Sequence, residues 1–162
     1  MYTEDNLESI KEQLKKSILT WLVPEVLLLG GVIYSLVVRK EWLTNVFFIA
    51  LGVLLIFSWG LFISPVNAYR KHVNSMLHGR TKETTGFFKQ FGGEIVDRDK
   101  VRYYPLLISV GNLSDEKDDR LFYYDANLDL PDWQVGEALV ITSHDNAIAR
   151  WERVQEQPVT TA

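Results

Sequence analysis

Hydrophobic positions fall into three regimes along this chain. Residues 17–38 and 42–64 are almost continuously apolar, with only Arg39-Lys40-Glu41 between them. A helix needs about 20 apolar residues to cross a hydrocarbon core of about 30 Å, and each run meets that length. So short a connection predicts two antiparallel helices, a transmembrane hairpin. Ahead of it, Leu7, Ile10, Leu14 and Ile18 recur at three- and four-residue steps, with Glu8, Lys11, Glu12, Lys15 and Lys16 placed to pair on the wet face. This predicts an amphipathic helix over 1–16 that lies on a membrane surface or leads straight into the first span. Beyond the second span, Val66, Tyr69, Val73, Met76 and Leu77 mark one helical face, and Arg70, Lys71, His72, Asn74, Ser75 and His78 the other. Ser64-Pro65 reads as an N-cap with proline at the first helical position, and Gly79 as a stop, giving a basic juxtamembrane helix over 65–80.

From Gly86 the period changes to two. Strands are expected at Gly86–Phe91, Glu94–Asp97, Lys100–Val110, Arg120–Asp125, Ala138–Ser143 and Ala147–Val154, separated by Gly92-Gly93, Arg98-Asp99, Gly111-Asn112, Pro131-Asp132, Gly136 and Asp145-Asn146. In the third, Val101 and Tyr103 share one phase and Leu106, Ile108 and Val110 the other, which predicts a bulge at Tyr104-Pro105. Five or six short strands over 86–155 imply a small β-barrel of OB or SH3-like type. Residues 156–162 read as a disordered tail. The fold class is therefore α+β: a helical hairpin, a connector helix and a barrel.

Charge sharpens this picture. Residues 65–85 carry four basic side chains and one acid, whereas from Gly86 onward there are eight basic and fourteen acidic, a net of −6. A positive collar at the membrane suits contact with anionic lipid or a partner through Arg70, Lys71, Arg80 and Lys82, or else marks a connector that packs on the barrel. Around the span ends, seven Lys and Arg lie on the side of the termini against two in the hairpin loop, which places both termini and the β domain in the cytoplasm. The first span is too long for a signal core, and Val37-Val38-Arg39-Lys40 offers no small-residue cleavage site, so it reads as a retained anchor. There is no cysteine, which excludes disulfides, thiolate metal sites and cysteine nucleophiles.

Glu25 is the one ionisable residue inside either span, a candidate for ion binding, proton relay or a polar contact with a partner helix. The plainer reading puts Pro24 and Glu25 in a helix's first turn at headgroup level. Gly31, Ser35 and Gly52 supply small residues for helix packing, within the hairpin or between copies. Asp115-Glu116-Lys117-Asp118-Asp119 lacks the spacing of a calcium loop and reads as a solvated turn. His72, His78 and His144 are too scattered to ligate zinc, so neither metal nor cofactor is expected. Tyr104, Tyr124 and Trp133 offer a partner face, and the negative domain disfavours nucleic acid. No phosphate loop, nucleophile elbow or metalloprotease motif occurs.

The segment Trp133-Gln134-Val135-Gly136-Glu137-Ala138-Leu139-Val140-Ile141 is similar to the x-x-G-D/E-x-V-x-V pattern that leads into strands of many small barrels. With two spans and a basic connector, the layout resembles NfeD-type bacterial membrane proteins, which implies an OB-fold and a bacterial plasma membrane. Together these features predict a non-enzymatic membrane protein that presents a β-barrel to membrane lipids, a protein partner or further copies of itself. The alternative is a transporter or channel component that uses Glu25.

Overall fold

A computed structural model of the chain describes residues 1–154, so the tail assigned to 156–162 lies outside the described residues. The chain divides into two compact units. One is Asp5–Lys71; the other joins Met1–Glu4 to the chain from His72 onward.

The first unit is helical. Helix α1 runs unbroken over Glu4–Val37 and α2 over Glu41–Phe57. The amphipathic segment is therefore continuous with the first apolar run, since no glycine or helix-stopping signal separates them. Helix α1 and the longer helical stretch from Glu41 to His78, which begins with α2, are each long and apolar enough to cross a membrane. They are antiparallel: the Trp21 ring lies 4.8 Å from that of Phe62, and Gly31 lies against the Phe47 ring, where a Cβ would come within 2.9 Å. Ser35 is fully buried and donates to the Val32 carbonyl at 2.8 Å. Gly52, also expected at a helix contact, instead faces open space.

The expected helix start at Ser64-Pro65 needs correction. A π-helical turn over Ser58–Ile63 joins α2 to α3 (Ser64–His78), and Ser64 has helical φ −63° and ψ −43°. Pro65 has no N–H for the carbonyl four residues back, and its ring crowds that carbonyl. The preceding turn widens, so that the Ser64 N–H reaches the Trp59 carbonyl five residues back. Proline is accommodated here by a wider turn rather than by a new helix.

The second unit is a six-stranded sheet: β1 (Lys82–Phe91), β2 (Val96–Arg98), β3 (Val101–Ser109), β4 (Asp119–Asp125), β5 (Ala138–His144) and β6 (Ala147–Arg153). The pairings β1–β3, β3–β4, β4–β6, β6–β5 and β5–β1 close five strands on themselves, and β2 is added beside β3. Among the described residues only the β4–β6 pairing is parallel. The interior holds Phe88, Leu106, Ile108, Phe122, Tyr124, Trp133, Leu139, Ile141 and Ile148. All but Trp133, which enters from the loop before β5, supply the alternate positions of their strands, as a half-buried sheet requires.

Two local expectations change. Strand β1 begins four residues early, because Lys82–Thr85 pair with Val140–Ser143 although they lack apolar alternation. The bulge lies in β1, where Phe88 and Gln90 oppose the adjacent Ile108 and Leu107 and leave Lys89 extra. In contrast, β3 holds unbroken register with β4 from Tyr103 opposite Asp125 to Ser109 opposite Asp119. The phase change in β3 has another origin. Leu106 and Ile108 point inward, while Tyr103, on the opposite face, is buried from outside.

Candidate functional site

Tyr103 marks a hydrogen-bonded cluster on the outer face of the sheet, within the second unit. Antiparallel register sets it directly opposite Asp125 on β4, and side chains opposite one another share a face. His72, midway along α3, packs its ring edge-on against Tyr103 at 5.4 Å and against Tyr2 at 5.6 Å. Its Nδ1 is 3.0 Å from the Tyr103 hydroxyl, and its Nε2 is 3.0 Å from the Tyr2 hydroxyl. Tyr2 in turn donates to Asp125 Oδ2 at 2.9 Å. Asp125 is 1% exposed, and its Oδ1 accepts from the Asn127 backbone N–H and side-chain amide, both at 2.9 Å.

These contacts select one proton arrangement. Tyr2 has a single proton and gives it to Asp125, so its oxygen must accept from Nε2–H of His72. Nδ1 is then the lone-pair nitrogen and accepts from Tyr103. The order is Tyr103 to His72 to Tyr2 to Asp125, with a neutral imidazole at the centre and the Asp125 carboxylate as the last acceptor.

Electrostatics agree with this order. Burial lowers the pKa of His72, Asp125 works against that shift, and His144 adds to it. The Tyr103 phenol is pushed up to about 12, first by burial and then by Asp125, so it stays a donor throughout the physiological range. His144 donates from Nδ1 to the Arg80 carbonyl at 2.7 Å. No family model, curated protein or solved structure matches this chain.

The residues singled out in the sequence are dispersed. Glu25 accepts from Ser58 Oγ at 2.7 Å within the helical unit, and Ser58 is buried. The acid therefore has a partner in its own hairpin. Lys71, Arg80 and Lys82 are exposed, whereas Arg70 is half-buried and its Nε has no hydrogen-bond partner among the described residues. Tyr124 and Trp133 cannot form a partner face, at 3% and 7% exposed. They point into the sheet's interior, where Trp133 meets Phe88, Phe91, Tyr124 and Trp151 at 5.0–5.9 Å, and Tyr104 is packed against the same core. His72, expected on a wet helix face, is 7% exposed at its side chain. The acidic run is held by local contacts and one ion pair: Asp115 caps the Lys117 N–H, Asp118 accepts from the Asn112 N–H, and Asp119 pairs with Lys89 at 2.7 Å. Among the described residues no cluster of three or more His, Cys, Asp or Glu is placed to hold a metal ion.

Glu137, the acid of the strand-leading pattern, accepts from the Gln134 N–H at 2.9 Å and pairs with Arg153 Nε. Arg153 also reaches Asp132 at 2.8 Å. Together these contacts brace the loop that carries Trp133.

The cluster itself was hidden in the sequence. Tyr2, His72, Tyr103 and Asp125 show no spacing pattern. The one trace was the phase change in β3, which signals a strand covered on both faces.

Proposed function

We propose that this protein is an integral membrane module whose hairpin, 17–38 and 42–64, holds a small barrel at the cytoplasmic surface to recruit or regulate a protein partner. The carrying observation is how bare the helices are: 6% of the most apolar stretch of α1 and 11% of that in the helix from Glu41 are buried. The core helix of a soluble domain would be mostly covered, and apolar surface this extensive needs hydrocarbon or protein against it. The strand order β1-β3-β4-β6-β5-β1 with its one parallel pair supports the OB type over an SH3-like barrel, and the NfeD-like layout belongs to the same reading.

Action by binding rather than catalysis is supported by the state of the His72 cluster. Both ring nitrogens are occupied by tyrosine hydroxyls and the ring is buried, so no substrate atom has access to it. The exposed basic residues Lys71, Arg80 and Lys82 suit anionic headgroups.

The chain has no native cysteine, so Ser114→Cys, in an exposed loop, gives a single label site. The expected result is protection from an impermeant maleimide in intact cells and labelling after lysis. Labelling in intact cells would reverse the orientation and make an extracytoplasmic partner the leading idea.

A transporter or channel component built on Glu25 is the alternative. The Ser58 bond favours a fastening role inside one hairpin. Glu25→Gln keeps an oxygen acceptor for Ser58 and is expected to leave both particle size in detergent and ion flux unchanged. A change in either would revive the alternative.

A further inference from the structure

We infer that Phe87, Leu113 and Val135, all in the β unit, anchor a docking face for a basic, apolar segment of a protein partner. The inference rests on the recruiting role proposed above and names the surface that carries it.

The face is built around one turn. The Glu137 N–H donates to the Gln134 carbonyl at 3.0 Å, and Gly136 has φ +86° while Val135 has none of the positive kind. A positive φ at the third position and not the second defines a type II turn, which calls for glycine there. Val135 therefore holds the second position, at the tip. Turn tips are ordinarily Gly, Pro, Asn, Asp or Ser. Here the tip is a valine, and it is 72% exposed. The turn is nonetheless braced on several sides. The Gly136 N–H donates to the Phe88 carbonyl at 2.7 Å, and the Phe88 N–H donates to the Glu137 carbonyl at 2.9 Å. The Glu137 carboxylate adds its bonds to the Gln134 N–H and to Arg153.

Two more apolar side chains gather beside this turn. Phe88 points into the barrel, so Phe87 points out of it, and Phe87 is 40% exposed. Leu113, in the β3–β4 loop and 37% exposed, lies 3.9 Å from where a Gly136 Cβ would stand. Single exposed apolar residues are ordinary on a protein surface, but three around one braced turn form a ready-made patch. A segment that binds there has no turn to order, which lowers the entropic cost of association.

Charge decides what fits. The loop 111–118, which carries Leu113, holds Asp115, Glu116 and Asp118 against Lys117. The loop 126–137, which carries Val135, holds Asp129, Asp132 and Glu137 and no Lys or Arg. An open groove of about 550 Å³ beside Val135 is lined by Asp132, Gln134, Glu137 and Arg153. Arg153 answers both acids there, yet the Asp132 side chain stays 91% exposed and is free to meet a further cation. Loops of this sign repel anionic headgroups and phosphates, so neither a lipid surface nor nucleic acid suits the face. Residues 155–162 of the chain itself carry one charged side chain, Glu156, of the same sign. The complement is a protein segment with an apolar anchor flanked by Lys or Arg.

The test is selection of a random peptide library on the full chain in phosphatidylcholine nanodiscs, with counter-selection on empty nanodiscs. Phosphatidylcholine has no net charge, so the bilayer adds no pull on cations. Enriched peptides are expected to combine positive net charge with a large apolar residue, and to bind more weakly as added salt screens the loops. Val135→Ser combined with Leu113→Ser removes exposed apolar groups and should weaken those peptides by about tenfold or more. Glu116→Lys reverses one exposed charge and should weaken them severalfold. Enriched peptides that are acidic or uncharged, or that bind the double variant as tightly as the parent, would overturn this face and leave the recruiting role standing. Enrichment of no sequence would overturn both. Self-association of the full chain that the double variant abolishes would give the face to a second copy instead of a partner. If the double variant does not fold, Glu116→Lys and the salt dependence decide the matter.

Discussion

Trp133→Ala is expected to destabilise the β unit by about 3–5 kcal/mol, the range for truncating a large aromatic in a close-packed core. Trp133 is stacked on Phe91 at 5.6 Å with planes 6° apart, and it meets Trp151 edge-on at 5.0 Å. Removing it leaves a void bordered by four aromatic rings that cannot collapse without breaking strand register. The loss would be seen as a lower urea midpoint at unchanged slope. Trp133→Phe provides the control. Among the described residues the indole Nε1 has no hydrogen-bond partner, so the phenyl ring forfeits packing but no polar contact. Its cost should be well below that of alanine. A loss under about 1 kcal/mol for Trp133→Ala would return this residue to the surface role that the sequence suggested.

The second large effect is expected from Asp125→Asn. The substitution preserves shape but turns one acceptor into a donor. With Oδ1 still receiving the two Asn127 protons, the new amide faces the Tyr2 hydroxyl. Tyr2 then has donors on both sides, His72 Nε2–H and the amide, and its own proton has no acceptor. Losing a hydrogen bond to a buried charge costs about 1.5–3 kcal/mol, and the stranded hydroxyl adds to it. The same change removes the attraction that raises the His72 pKa, so His72 should titrate at a still lower pH in Asp125→Asn. Urea unfolding at pH 7.5 reads the first effect and the histidine NMR signal reads the second. A stable variant with unchanged His72 titration would mean that Asp125 neither anchors Tyr2 nor acts on the His72 ring.

These two residues show how differently the sequence exposed its features. Trp133 was correctly placed next to a turn and a strand, but aromatic character does not distinguish a partner face from a core. The distinction came from the five-strand closure, which gives the barrel an interior. Tyr124 follows the same logic. For Tyr103 the sequence held a partial clue, because its phase disagreed with that of Leu106 and Ile108. A bulge was one physical answer to that conflict, and burial of the outer face was the other. Unbroken pairing with β4 selects the second.

The sequence by itself determined the elements whose signals are local. Two apolar runs of spanning length, a three-residue connection, the helix end before Gly79 and six strands between turn residues all depend on neighbours a few positions away. Hydrophobic periodicity and backbone preferences act at that range. Only tertiary structure decided the rest. It joined β1 to both β3 and β5, gave Glu25 its Ser58 partner across the hairpin, and brought Tyr2, His72, Tyr103 and Asp125 to within hydrogen-bond reach. Tyr2 and Asp125 are 123 residues apart. A hydrogen bond depends on position in space to a fraction of an ångström, and no pattern along the chain records that.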